Sequence, residues 1–280
     1  MPISDYMTDQ RPPTARPVRM VVLASLGGAL EFYDFVAYGI FAVYIADAFF
    51  PARDQIASLA SAFAAFAGGY LIRPLGGATF SHFGDRFGRR SAFLVSLVGI
   101  SLATTGMALC PSYETWGVWA TATFVMLRLL QGFCLGGELP GAITYVSEAA
   151  APGRTGLACG LLFCCASLGV VLASGVSVGL HSLMPAQAVA KYGWRLAFAL
   201  GGLLGLLSYL PRKQLAESPA FMRLREWQDV ERAPLLLVLR HNLGRVAVGI
   251  GTTAVVAAFN GVLFAYLPAY PQGSPHFLSV

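Results

Sequence analysis

Apolar positions in this chain come in long blocks separated by short polar stretches. They do not alternate residue by residue as half-buried strands do, nor form the narrow stripes of surface helices. The blocks lie at about 20–45, 56–80, 91–110, 117–149, 156–180, 194–210 and 244–268. A helix rises ~1.5 Å per residue and a bilayer's hydrocarbon core is ~30 Å thick, so a block of ~20 residues crosses it once. The pattern predicts an all-α, polytopic membrane protein. A six-helix transmembrane bundle is expected over 20–210, a polar central loop over 211–243 and a seventh transmembrane helix over 244–268. Residues 1–19 read as a polar tail and 269–280 as a second, short one.

Composition sharpens this and removes several function classes. Apolar residues make up 56% of the chain and charged residues 12%, against about 25% charged in ordinary soluble domains. A soluble enzyme is excluded. The formal charge of +5 is no nucleic-acid signal, because most Lys and Arg gather between the predicted spans. Their distribution puts the N-terminus and the 81–90 and 211–243 segments on the cytoplasmic side. The five cysteines lack metal-ligand spacing and read as small packing residues. Gly249-x-Gly251-x-x-Ala254 imitates a dinucleotide fingerprint, but no strand precedes it. No cofactor and no metal are expected. No phosphate-binding loop suggests an ATP-driven pump.

The informative residues are those that do not belong in lipid. Glu31 and Asp34, three apart, face one side of the first span. Arg73 precedes Pro74 in the inner third of the second; it either snorkels to the inner headgroups or binds an anionic group. Arg128, Gln131 and Glu138 share one side of the fourth span. Charge inside a bilayer is costly and marks a cavity or a partner, and an acid on another helix is the natural partner for Arg128. Asn260 is a pathway candidate on the seventh span. Gly132–Gly136 and Gly137–Gly141 would admit a close helix neighbour. The third span reads as purely structural, and the stretch 181–193, with His181 and Lys191, as an outer loop.

The stretch from Gly76 to Arg90 ends in Asp85, Arg86, Gly88, Arg89 and Arg90. It resembles the signature loop between the second and third helices of the major facilitator superfamily, with Ser81 where the first Gly is expected. LEFYDFVAYG in the first span, RPLGG in the second, QGFCLGGELPGAITYVSEAAP in the fourth, and GWR at 193–195 narrow this to the metabolite:H⁺ symporter family. That resemblance implies proton-coupled symport of small polar metabolites such as betaine, proline, dicarboxylates, citrate or shikimate. It implies a proton-coupling pair at Asp34 and Arg128, and a substrate pathway including Glu31, Arg73, Gln131, Glu138 and Asn260. It also implies a cytoplasmic gate in which Glu148 meets the Asp85–Arg90 loop. The expected location is a bacterial inner membrane, with lipid, protons and a small solute as partners.

Members of the superfamily pair two six-helix halves. This chain reads as one half plus a seventh helix, truncated relative to the family. Two expectations follow: a symporter completed by a separate chain, or a non-transporting remnant acting as a membrane interaction partner.

Overall fold

The computed structural model describes residues 17–151, 153–215, 217, 222 and 242–261. Among them every regular element is helical. The chain divides into two compact units, Met1–Glu231 and Arg232–Val280. The first contains α1 (Pro17–Ile40), α2 (Ala42–Phe49), α3 (Gln55–Leu71), α4 (Arg73–Phe87), α5 (Arg89–Leu109) and α6 (Tyr113–Trp116). These are followed by α7 (Val118–Ala149), α8 (Thr155–Leu183), α9 (Ala186–Ala188), a π-helical turn at Val189–Gly193 and α10 (Trp194–Arg212). The second unit contains α11 (Leu243–Gly261). Six helical segments of the described residues are long and apolar enough to cross a membrane, beginning with Val21–Ile40 and ending with Ala186–Arg212.

In the first unit α1 lies along α8, α5 packs between α7 and α10, and α4 runs along α7. Two hydrophobic clusters close the bundle's ends. One joins Tyr38, Phe41, Phe49, Phe124, Trp194 and Phe198; the other joins Val21, Phe93, Tyr145, Val146, Leu162 and Leu215. The intramembrane charges are held on the helices between them.

Glycine lets two of these helices touch backbone to backbone. A Cβ at Gly132 would overlap the Gly69 carbonyl, and one at Gly136 the Arg73 carbonyl. The neighbour admitted by the small residues of α7 is thus the α3–α4 pair. Gly132→Ala is expected to cost about 1–3 kcal/mol through overpacking, read as a lower thermal unfolding midpoint in detergent.

Several boundaries differ from the pattern's prediction. The second apolar block continues as helix to Phe87, because the polar turn His82–Arg86 is also helical. The break in this span falls at Ile72, before Pro74. Proline has no N–H to lose in the first turn of a helix, so the chain bends ahead of it and restarts with Pro74 inside α4. The first block splits into α1 and α2 next to Phe41. The expected outer loop at 181–193 is largely helical: α8 runs to Leu183, and α9 with the π turn leads into α10. His181 therefore sits on a helix, its Nδ1 2.8 Å from the Ser177 carbonyl and its ring stacked on Phe41. Helix α10 continues through Pro211 to Arg212, two residues past its predicted end. The described part of the predicted seventh span is helical, as α11. Residues 262–268 of the predicted seventh span and most of 216–241 lie outside the described residues.

Candidate functional site

Three acid–base pairs occupy the bundle interior, each bringing together different helices. Asp34 on α1 meets Arg128 on α7, with Nη1 2.6 Å from Oδ2. Both are nearly sealed, at 5% and 3% exposure. Asp34 lies one helical turn beyond Glu31 and Arg128 one turn before Gln131, so the polar sides predicted for α1 and α7 face each other. Gln131 completes the group: its Nε2 donates to Asp34 Oδ1 at 2.8 Å and to Thr104 Oγ1 at 2.7 Å, while its Oε1 accepts from Arg128. The guanidinium carbon of Arg128 lies 4.5 Å from the Tyr38 ring centre and 4.8 Å from that of Phe66. The cation is thus flanked by aromatic rings and neutralised by one carboxylate. In so dry a setting a lone charge is expensive and a paired, hydrogen-bonded one is tolerated.

Glu31 pairs with Arg73 across α1 and α4. The Arg73 guanidinium has this carboxylate on one side and lies 3.8 Å from the Tyr70 ring centre. Glu31 Oε2 and Arg73 Nε are buried without a hydrogen-bond partner.

Glu138 pairs with Arg212, and both are fully buried. Ser96 Oγ donates to Glu138 Oε2 at 2.7 Å. Arg212 also donates to the carbonyls of Leu23, at 3.0 Å, and Ala24, at 2.7 Å. The pair fits because Gly27 has no side chain: a Cβ there would collide with the Glu138 carboxylate. Glu138 is therefore enclosed by protein on α1, α5, α7 and α10.

The Gly76–Arg90 stretch gathers a fourth group. Gly88, at φ 105°, makes the turn between α4 and α5, a backbone shape that glycine adopts without strain. Arg89 contacts Asp85 one turn back on α4 and Glu148 at the end of α7, the latter at 3.3 Å. Glu217 accepts from the backbone N–H groups of Arg89 and Arg90 at 2.8 and 3.3 Å, where an anion suits a helix N-terminus. Arg90 also donates to the Lys213 carbonyl. Arg86 is exposed, 5.4 Å from the Phe87 ring centre.

Asp34, Arg128 and Gln131 thus lie in one cluster, Glu31 with Arg73 in a second, and Glu138 in a third. Asp85, Arg89, Arg90 and Glu148 lie together at the α4–α5 turn. Asn260 is on α11 in the other unit, and its side chain is outside the described residues. Arg212, Thr104, Ser96 and Glu217 are not singled out by sequence reasoning. Arg212 follows a proline that looks like a helix stop, and Ser96 and Thr104 are scattered hydroxyls in an otherwise apolar block. Spacing relative to Glu138 and Gln131 gives no signal, because the partners are on different helices.

The bundle interior thus carries charges that are neutralised in pairs between helices. The family described as "Sugar (and other) transporter" matches residues 20–237, and the chain belongs to that family, within the major facilitator superfamily. Its relatives are transporters, not enzymes. It is 32% identical over 268 residues to the glycine betaine/proline/ectoine/pipecolic acid transporter of Dickeya dadantii, covering 92% of this chain and 54% of that protein. It is 32% identical over 273 residues to the citrate-proton symporter of Klebsiella pneumoniae, covering 93% and 61%. It is 36% identical over 205 residues to the alpha-ketoglutarate permease of Escherichia coli, covering 73% and 48%. The fold is similar to the xylose transporter XylE from E. coli in a partially occluded inward-open conformation. There the TM-score is 0.69 at 20% identity, covering 89% of this chain and 61% of the other. The chain thus spans about half to three-fifths of the length of these proteins.

Proposed function

We propose that this chain is the bundle of a proton-coupled symporter for small polar metabolites, with Asp34 and Arg128 as the coupling pair. The observation that carries this reading is the buried Asp34–Arg128–Gln131 cluster. A carboxylate facing a guanidinium keeps its charge; the same carboxylate left alone in an apolar site takes up a proton. Any movement that draws α7 away from α1 would thus exchange Arg128 for a proton on Asp34. Solute entry and rocking against a second six-helix unit would supply that movement. The turn at Gly88, with Arg89 joined to Asp85 and Glu148, would close the cytoplasmic mouth in one conformation. The positive-inside distribution of Lys and Arg supports a cytoplasmic N-terminus in a bacterial inner membrane.

The test is accumulation of labelled glycine betaine, proline, citrate and oxoglutarate in proteoliposomes carrying this chain, driven by an imposed inward proton gradient. Gradient-dependent accumulation of at least one solute is expected once a second chain supplying the other six-helix half is incorporated beside it. A second reading, a non-transporting remnant acting as a membrane interaction partner, rests on the chain's covering 54% and 61% of two relatives. It predicts no accumulation with this chain, whether or not a second chain supplying the other half is added.

Glu148→Gln provides a separate check on the gate. It removes the charge facing Arg89 while leaving the intramembrane pairs intact. Accessibility of a thiol placed at Ala92, a partly buried position beside Arg89, to a water-soluble maleimide added from the cytoplasmic side should rise severalfold. Unchanged labelling would remove Glu148 from the gate.

A further inference from the structure

We propose that the Glu31–Arg73 pair is the solute-binding point of the bundle, and that it selects a zwitterion carrying an ammonium and a carboxylate over a polycarboxylate. This rests on the transport reading above and narrows its substrate class.

The inference begins with which charges are available. Arg128 is satisfied by Asp34, Gln131 and two aromatic rings. Arg212 is satisfied by Glu138 and two backbone carbonyls, and Glu138 by Arg212 and Ser96. Neither cluster has a buried polar atom left over among these residues. The Glu31–Arg73 pair does: Glu31 Oε2 is an acceptor without a donor, and Arg73 Nε a donor without an acceptor. An unmatched donor and acceptor at one contact fit a ligand that presents both a cation and an anion: a primary or secondary ammonium supplies the missing donor, and a quaternary one meets Glu31 by charge alone.

Charge balance then separates the ligand classes. A zwitterion entering between Glu31 and Arg73 replaces one ion pair with two, its ammonium on Glu31 and its carboxylate on Arg73. No charge is left unmatched. A dicarboxylate would set one of its anions against Glu31, and a simple cation would face Arg73. Each leaves a charge repelled in a poorly hydrated site, where such repulsion is strong.

The surroundings of Glu31 favour an ammonium. Phe35, Phe66 and Tyr70 form a mutually contacting trio, with centroid separations of 5.4, 6.1 and 5.1 Å. Phe35 is 43% exposed, four residues along α1 from Glu31 and so on the same side of that helix. Tyr70 and Phe66 already face Arg73 and Arg128, which leaves Phe35 as the ring open to an ammonium, drawn to its quadrupole one helical turn from Glu31.

The experiment is ligand-dependent thermal stabilisation of the purified full chain in detergent micelles, with glycine betaine, proline, choline, succinate and citrate at equal concentration. Glycine betaine and proline are expected to raise the unfolding midpoint; choline, which lacks the carboxylate, and the two polycarboxylates are not. Glu31→Gln and Arg73→Gln should each weaken zwitterion binding at least about tenfold, the loss of one charge-assisted contact. Phe35→Leu, at an exposed position outside the ion pair, should weaken betaine severalfold in a protein that folds normally. This keeps the test decisive if either charge variant fails to fold. Greater stabilisation by succinate or citrate, equal stabilisation by choline, no stabilisation by any solute, or betaine binding unchanged in Phe35→Leu would overturn the assignment. A polycarboxylate preference with proton-driven accumulation intact would defeat this inference and leave the transport reading standing.

Discussion

Arg212→Ala is expected to leave little folded protein. The substitution strands Glu138 at 0% exposure with only the Ser96 hydroxyl for company, and removes the donors to Leu23 and Ala24. Breaking a buried ion pair from one side costs about 3–5 kcal/mol, a large part of the ~5–15 kcal/mol that holds an ordinary soluble domain together. The measurement is the yield of monodisperse chain after detergent extraction, with its unfolding midpoint. The double variant Glu138→Leu/Arg212→Met should recover much of that loss, since apolar residues of similar size often replace a buried pair without penalty. Adding Gly27→Ala separates the pair from general packing. A Cβ at Gly27 collides with Glu138 and Arg212 in the wild-type chain, so the alanine should be harmful there and much better tolerated in the double variant. If Arg212→Ala folds as well as wild type, the pair does not hold the bundle.

Asp34→Asn carries the second large effect. With asparagine in its place the hydrogen bond from Gln131 Nε2, now 2.8 Å to Oδ1, can persist, but the exchangeable proton is gone. If one proton accompanies each solute, a gradient of one pH unit supplies about 1.4 kcal/mol, or roughly tenfold accumulation. In Asp34→Asn that should fall to no accumulation, while exchange of labelled for unlabelled solute continues. Loss of both activities would show that Asp34 serves binding or folding instead. Arg128→Gln is the harsher change, because it leaves the Asp34 charge buried without a counter-ion.

Much of this architecture is legible in the amino-acid sequence, and the reason is physical. A bilayer forces backbone polar groups into helices and makes each intramembrane charge conspicuous. Glu31, Asp34, Arg73, Arg128 and Glu138 stand out for that reason. Helical periodicity then places Asp34 and Arg128 on sides that can meet. What periodicity does not carry is pairing between helices. The cost of a charge announces that a partner exists, but not which one, so Glu138 can be singled out while Arg212 reads as part of the loop beyond Pro211. A proline near the end of a helix is compatible with continuing it, and the two residues past the predicted end deliver the guanidinium to Glu138. Thr104 and Ser96 are inconspicuous for a different reason: a hydroxyl costs little in an apolar helix, since it can bond its own backbone, as Thr104 does to the Ile100 carbonyl. The break at Ile72 instead of Pro74 follows from where proline is tolerated, in the first turn of the helix that restarts there.

The pair at Asp34 and Arg128 is the point on which the functional account turns, and infrared difference spectroscopy addresses it directly. The purified chain in lipid nanodiscs is exposed to the solute identified by uptake, and the carboxylic acid C=O stretching region is recorded with and without it. The account predicts a protonated-carboxyl band that changes on solute addition in the wild-type chain, shifts in deuterium oxide, and is missing in Asp34→Asn. The same solute-induced band in wild type and Asp34→Asn would contradict it.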